Sequence, residues 1–367
     1  MHMKRLVMAF AAVALAGMAA GGVPQGERRM MWMLVGWTGV ENGWVGEGMA
    51  HDWDREIGDL RELGFTDAIV QMQRAGVAAY KSPTIPNAPI VKTFGDQFQK
   101  VKEACRKHGL KFHAWRACNR TQYATDAWNL NIDHQGRRLV TLYKGRLVPS
   151  PSWLCPTHPA NVKAEIDAML ELAAMEPDAI HYDYTRYENA NGCFCERCRA
   201  LFETELGEAV NWPADVTSGG RLFARWNTFR IAQIERFLKP VADTVHAKFP
   251  QVEISSAVQA STNLLNAQDW GNWTRKRYFD TVVPMDYKLT FAKFKSTLDE
   301  QDPFIADVKD RCFPGIGIRC GHGDIDAETT AAQIREVRAR GYKGFAVFAY
   351  TAYTMDILRQ LKKEGLL

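Results

Sequence analysis

Two aspartates stand where acid–base chemistry is feasible. Asp183 closes the run Ala179-Ile-His-Tyr-Asp, and Asp286 follows the run Thr281-Val-Val-Pro-Met. Hydrolysis of a glycosidic bond needs two carboxyl groups: one ionised, to attack or to steady an oxocarbenium-like centre, and one holding a proton for the departing oxygen. Arg186 lies three residues past Asp183 and is expected to keep it anionic, whereas apolar Met285 and Tyr287 should push Asp286 toward its protonated form. Asp183 is therefore the expected nucleophile or stabiliser and Asp286 the expected acid/base. The plain alternative for either residue is a helix cap or an ion-pair partner.

Other polar and aromatic residues fall at the ends of β-rich runs and are candidates for gripping a substrate: Trp37, Gln73, Arg74, Trp115, Arg116, His181, Arg186, Tyr187, Gln259, Tyr287, Arg319, His322 and Tyr350. Side chains alternate along a strand, so His181 and Asp183 share one face while Ile180 and Tyr182 share the other. Tyr353 belongs with the same group, and His322 is a third candidate for proton transfer. Trp44, Trp53, Trp153, Trp270 and Trp273 suit either a sugar platform or the core.

The eight cysteines include a C-x-C-x-x-C block, Cys193, Cys195 and Cys198. Three sulfurs within one turn fit tetrahedral zinc better than they fit disulfide geometry. Cys155 is the natural fourth ligand, which would make a closed, structural site. Disulfides such as Cys155 to one member of the block are the alternative. Cys312 and Cys320 bracket a strand and are too far apart to pair with one another. Cys105 reads as a buried helical residue.

The elements that must position these residues alternate along the chain. Eight continuous apolar runs read as parallel strands: Met30–Gly36, Thr66–Met72, Leu110–Trp115, Ala179–Tyr184, Val252–Val258, Thr281–Met285, Phe313–Ile318 and Gly344–Ala349. Between them lie amphipathic helices, the clearest carried by Ile231, Ile234, Leu238, Val241 and Val245. Eight strand–helix units predict an α/β fold of the (β/α)8 TIM barrel type, one domain over residues 30–367. Two connections are too long to be simple loops and place insertions after strands 3 and 4. The first, Ala117–Pro156, carries a hairpin turning at Lys144-Gly145; the second runs from Glu188 to Gly220. Loops that follow barrel strands gather on the face where substrates bind.

Composition narrows the field further. The chain has 367 residues with 46 Lys and Arg against 42 Asp and Glu, a net charge of +4 that offers no footprint for nucleic acid. Lys4-Arg5, an apolar run from Leu6 to Ala16 and the small residues Gly17–Ala20 read as a signal peptide over residues 1–20, with an uncleaved N-terminal anchor as the alternative. That predicts a secreted or periplasmic protein with no membrane span once the leader is removed. No G-x-G-x-x-G follows the first strand, no G-x-S-x-G occurs, and no H-x-x-x-H pair invites a catalytic metal.

Several blocks resemble the glycosyl hydrolase-like 10 family of exported bacterial proteins: Val70–Gly76, Trp153–Pro159, Ala179–Tyr187, Cys193–Phe202 and Val282–Tyr287. The resemblance implies a (β/α)8 barrel acting on glycans, with some relatives linked to cell-wall glycan strands. The cysteine block is also similar to the zinc cluster of family 42 β-galactosidases, whose catalytic glutamates have no clear counterpart here. An Asp on strand 4 with another on strand 6 resembles the α-galactosidase clan in layout. Glu188 departs from the family, many members of which have Pro after the tyrosine. The expectation is an exported hydrolase of polysaccharide O-glycosidic bonds, retaining, with no cofactor for catalysis and a structural zinc. Its rival is a barrel of the same fold that binds glycan without cutting it.

Overall fold

A computed structural model describes residues 24–36, 50–74, 76–121 and 131–367. The expected leader, Trp37 and Trp44 lie outside the described residues. Eight parallel strands form the barrel: β1 (Arg28–Met33), β2 (Asp67–Arg74), β3 (Lys111–Ala117), β4 (Ala179–Asp183), β5 (Glu253–Gln259), β6 (Thr281–Met285), β7 (Gly315–Gly317) and β8 (Gly344–Phe348). They pair side by side in the order β7-β8-β1-β2-β3-β4-β5-β6. The last seam closes through a bridge between Val282 and Cys312, where Phe313 N–H donates to the Val282 carbonyl at 2.9 Å. Gly315 permits that closure, since a Cβ there would sit 2.6 Å from the Pro284 carbonyl oxygen. The molecule is thus a nearly closed (β/α)8 barrel, as the alternation of runs predicts.

The helices wrap the outside: α1 (Trp53–Glu62), α2 (Gln97–His108), α3 (Pro159–Ala174), α4 (Phe223–Lys248), α5 (Trp270–Arg275), α6 (Phe291–Phe304), α7 (Ala327–Ala339) and α8 (Ala352–Lys363). Side chains that cap helix starts follow the local sequence: Asp96 accepts from Phe98 N–H, and Asp326 from Thr329 N–H. Trp53, Trp270 and Trp273 are buried against these helices, so the core reading of those indoles holds.

Inside the barrel the inward-facing residues stack in layers. At the N-terminal end Arg28 donates to Asp67 (2.8 Å) and Glu253 (2.9 Å), and His113 meets the Asp67 carboxyl at 2.9 Å. Above them Ser255 Oγ lies 2.8 Å from both His113 Nδ1 and His181 Nδ1. Trp32 Nε1 then donates to His181 Nε2 at 3.4 Å. Met30, Ile69, Val283 and Ala346 fill the space beside this polar column. The barrel is therefore filled below by the described residues, and a cavity opens at its C-terminal mouth.

Two insertions stand at that mouth. After β3 a hairpin pairs Arg138–Tyr143 with Arg146–Leu154, turning at Lys144 and Gly145 with φ of 47° and 76°. Consecutive left-handed residues suit a two-residue hairpin turn, and glycine adopts that geometry without steric cost. After β4 the segment from Glu188 carries the cysteine block and a helix, Glu196–Leu206. A bridge between Thr141 and Gly192 joins the two insertions.

Candidate active site

A cavity of about 920 Å³ opens at the C-terminal mouth. Asp183 lies in its lining, delivered by the last position of β4 with the same parity as His181 below. Immediately afterwards Tyr184 adopts a left-handed backbone (φ 59°), which turns its own N–H back onto Asp183 Oδ1 at 2.7 Å. Left-handed geometry is costly for a bulky residue and concentrates at working sites. Asp183 is 5% exposed. Burial pushes its pKa up to about 6, against the opposing pull of Arg186, the Tyr184 N–H, the Trp115 indole and Arg120. Arg186 does pull Asp183 toward the anion, as expected, but desolvation outweighs the guanidinium and the net shift is upward.

Aromatic surfaces frame this carboxyl. Trp32, Trp115, Tyr184, Tyr287 and Phe348 line the cavity, with Tyr287 edge-on to Trp32 at 6.0 Å and tilted against Phe348 at 5.2 Å. Gly317 makes room for Tyr287, since a Cβ there would lie 2.8 Å from the tyrosine Cβ. On one wall Trp153 packs edge-on against Tyr184 at 5.6 Å. The guanidiniums of Arg120 and Arg186 lie over this pair, 4.8 and 5.0 Å from the Trp153 ring. Arg74 joins them in the lining. Gln259, held by Asn266 Nδ2 at 2.8 Å, supplies amide groups on the far side together with Asn263 and Ser261.

The expected carboxylate pair is not assembled. Asp286 is fully buried and absent from the cavity lining; its Oδ1 accepts from Gln301 Nε2 of α6 at 2.7 Å. The reason is strand parity: Val283 and Met285 point inward from β6, so the next residue points outward, toward the helices. Its pKa moves as expected, up to about 8, driven by burial. That protonated carboxyl faces protein rather than substrate. Asp183 is the one carboxylate among the described lining residues.

Of the expected contacts, Arg74, Trp115, Arg186, Gln259, Tyr287 and His322 meet around the cavity. Trp37 lies outside the described residues. The others lie elsewhere. Gln73 and Arg116 pair with one another on the helix side, where Arg116 also binds Glu165 at 2.8 Å. A β-bulge between Gln71 and Gln73 shifts the register, so Gln71 takes the inward place opposite Trp115 and Gln73 is turned out. His181 sits beneath the cavity floor, neutral because burial pushes its pKa well below the usual range. Tyr187 is buried under Arg230, whose guanidinium stands 4.3 Å from its ring. Arg319 pairs with Asp324 at 3.7 Å, and Tyr350 donates to Asp59 at 3.4 Å. Trp32 and Gln71 were missed although their parity with Met30 and Ile69 marks them; Arg120, Tyr184 and Asn263 sit in loops with no such signal.

These features agree with the comparisons to known proteins. The profile of the family Glycosyl hydrolase-like 10 matches residues 39–318, more than half of the chain. The chain belongs to the Glycosyl hydrolase-like 10 family. Among solved structures it is similar to the glycoside hydrolase domain of PgaB (BpsB) from Bordetella bronchiseptica, with a TM-score of 0.69 at 13% identity, over 92% of this chain and 97% of that one. It is also similar to alpha-L-fucosidase isoenzyme 2 from Paenibacillus thiaminolyticus, with a TM-score of 0.63 at 12% identity, over 92% of this chain and 49% of the fucosidase. A beta-amylase catalytic domain from Paenibacillus polymyxa gives a TM-score of 0.59 at 9% identity, over 92% and 99% of the two chains. At such identities the likeness is one of fold. No curated protein matches the chain by sequence.

The four cysteines Cys155, Cys193, Cys195 and Cys198 also come together, their sulfurs all within 4.8 Å of one another. No disulfide joins any of the eight cysteines.

Proposed function

We propose that this member of the family is a glycoside hydrolase that takes a stretch of polysaccharide into the mouth of the barrel, with Asp183 as the proton-transferring carboxyl. The observation that carries this reading is a buried carboxyl with a pKa near 6, at the end of a barrel strand, in a cleft walled by aromatic rings. A carboxyl so tuned holds its proton at mildly acidic pH and can pass it to a leaving oxygen. Aromatic rings lie flat against sugar faces, while Gln259 and Asn263 suit hydroxyl groups. Among the described lining residues three arginines face one carboxyl, which favours neutral or anionic sugars over cationic ones.

The retaining scheme that pairs Asp183 with Asp286 finds no support in this geometry, because Asp286 does not reach the cleft. Retention and inversion are distinguished by the anomer first formed, read by proton NMR during turnover. The leader-like residues 1–20 support export to the periplasm or beyond. Among the described residues no helix is long and apolar enough to cross a membrane.

The lone carboxylate of the described lining favours a second reading, a glycan-binding barrel without turnover. Incubation with a panel of neutral and acidic polysaccharides decides between them. New reducing ends that vanish in Asp183→Asn support hydrolysis. Saturable binding with no new reducing ends supports the second reading, and neither outcome on any polysaccharide refutes both.

A further inference from the structure

The four sulfurs form a compact cluster, all within 4.8 Å of one another. Cys155 Sγ lies 3.8 Å from Cys195 Sγ and 3.6 Å from Cys198 Sγ. A disulfide requires about 2.05 Å. Four thiolates at about 2.3 Å from a tetrahedral zinc are separated along each edge by about 3.8 Å. These two spacings match the edges of a metal tetrathiolate and are too long for a disulfide between Cys155 and either partner.

Two further observations point the same way. Groups able to donate surround the sulfurs: Val140 N–H donates to Cys193 Sγ at 3.2 Å, and the Thr157 hydroxyl, which has one proton to give, lies 3.0 Å from Cys155 Sγ and 3.3 Å from Cys198 Sγ. Thiolates bound to metal are customarily supported by such bonds. Beside the cluster Arg230 is fully buried, and its bonds go to neutral oxygens, those of Asn189, Ala190, Leu265 and Asn227. A buried guanidinium without a carboxylate needs negative charge nearby. Zinc with four thiolates carries a net charge of −2 and supplies it.

We propose that Cys155, Cys193, Cys195 and Cys198 bind one zinc ion, and that this centre fastens the two insertions together as the wall of the cleft. Binding deprotonates the four thiols and releases their protons to solvent. Cys155 follows the hairpin directly, and the other three ligands belong to the insertion after β4. Main-chain bonds run between the same segments: Phe194 N–H donates to the Val140 carbonyl at 2.7 Å, and Leu142 N–H to the Asn191 carbonyl at 3.2 Å. The hairpin strand that ends one residue before Cys155 carries Trp153, against which Tyr184, Arg120 and Arg186 stack. Fixing Cys155 thus fixes the aromatic base on which the cationic wall rests.

The test is made on the full chain, purified without chelator, and does not depend on glycan turnover. Elemental analysis is expected to find about one zinc per chain. Cys155→Ser and Cys198→Ser should each lower it more than about tenfold. Should those variants fail to fold, cobalt exchanged into the wild-type protein is expected to show the visible bands of a tetrahedral tetrathiolate. Stripping the metal should make the Arg138–Leu206 region the first cut in limited proteolysis. Zinc-free protein with four reactive thiols overturns the proposal, and so does a mass spectrum linking Cys155 to a member of the block. Zinc present with an unchanged cleavage pattern after stripping overturns the role assigned to the wall.

Discussion

Gln301 Nε2 donates to Asp286 Oδ1 at 2.7 Å on the helix side of β6, and the other carboxyl oxygen, Oδ2, has no partner. A single amide hydrogen bond cannot offset the loss of water around a charge. Asp286 is therefore a neutral, structural acid whose effect is on stability. Its folded pKa of about 8 exceeds the unfolded value of 3.8. Between those values the folded state binds the extra proton, so the contribution of this group to stability is full below about pH 4 and declines as pH rises toward 8. The slope for this group approaches about 1.4 kcal/mol per pH unit. Urea unfolding at pH 5, 6, 7 and 8 should show Asp286→Asn losing that slope. A variant that parallels the wild type over this range would sink the assignment.

Asp183 has the same sign of shift with a functional consequence. A general acid must be protonated to act, so kcat/KM on a cleaved glycan should fall as pH rises through about 6. Asp183→Asn should lower turnover by about 100-fold or more while leaving the fold intact. A rate that instead rises through pH 6 would show that the ionised form is the working one.

The bulge on β2 separates two glutamines that look equivalent. Gln71→Ala should weaken glycan affinity, because Gln71 lines the cleft. Gln73→Ala deprives the buried Arg116 of an acceptor and should cost about 1–3 kcal/mol of stability without changing KM. Calorimetry beside binding isotherms checks both, and exchanged phenotypes would place the bulge elsewhere.

Gly317 is the contact point between β7 and Tyr287. A methyl group there would meet Tyr287 at 2.8 Å, so Gly317→Ala should displace the ring into the cleft and cost about 1–3 kcal/mol. Affinity for glycan should fall in step. A crystal structure of the variant with Tyr287 unmoved would contradict the argument.

The sequence by itself determined the architecture. Eight apolar runs separated by 3.6-period helices leave few ways to bury both faces of every strand, and a closed barrel is the one that eight such units reach. It also determined the place of Asp183, because a strand-end residue in register with His181 must face the mouth, and it marked Cys193, Cys195 and Cys198 by their spacing and Cys155 by its place in the other insertion. Tertiary structure alone decided the rest. Parity at the end of β6 turned Asp286 away, and a one-residue bulge exchanged Gln71 for Gln73. Neither depends on composition: each follows from where a strand stops or slips relative to its neighbours. The sign of the Asp183 shift was likewise hidden, since Arg186 is adjacent in sequence but the depth of burial belongs to the assembled barrel. Local chemistry is written along the chain; desolvation and register are properties of what the chain packs against.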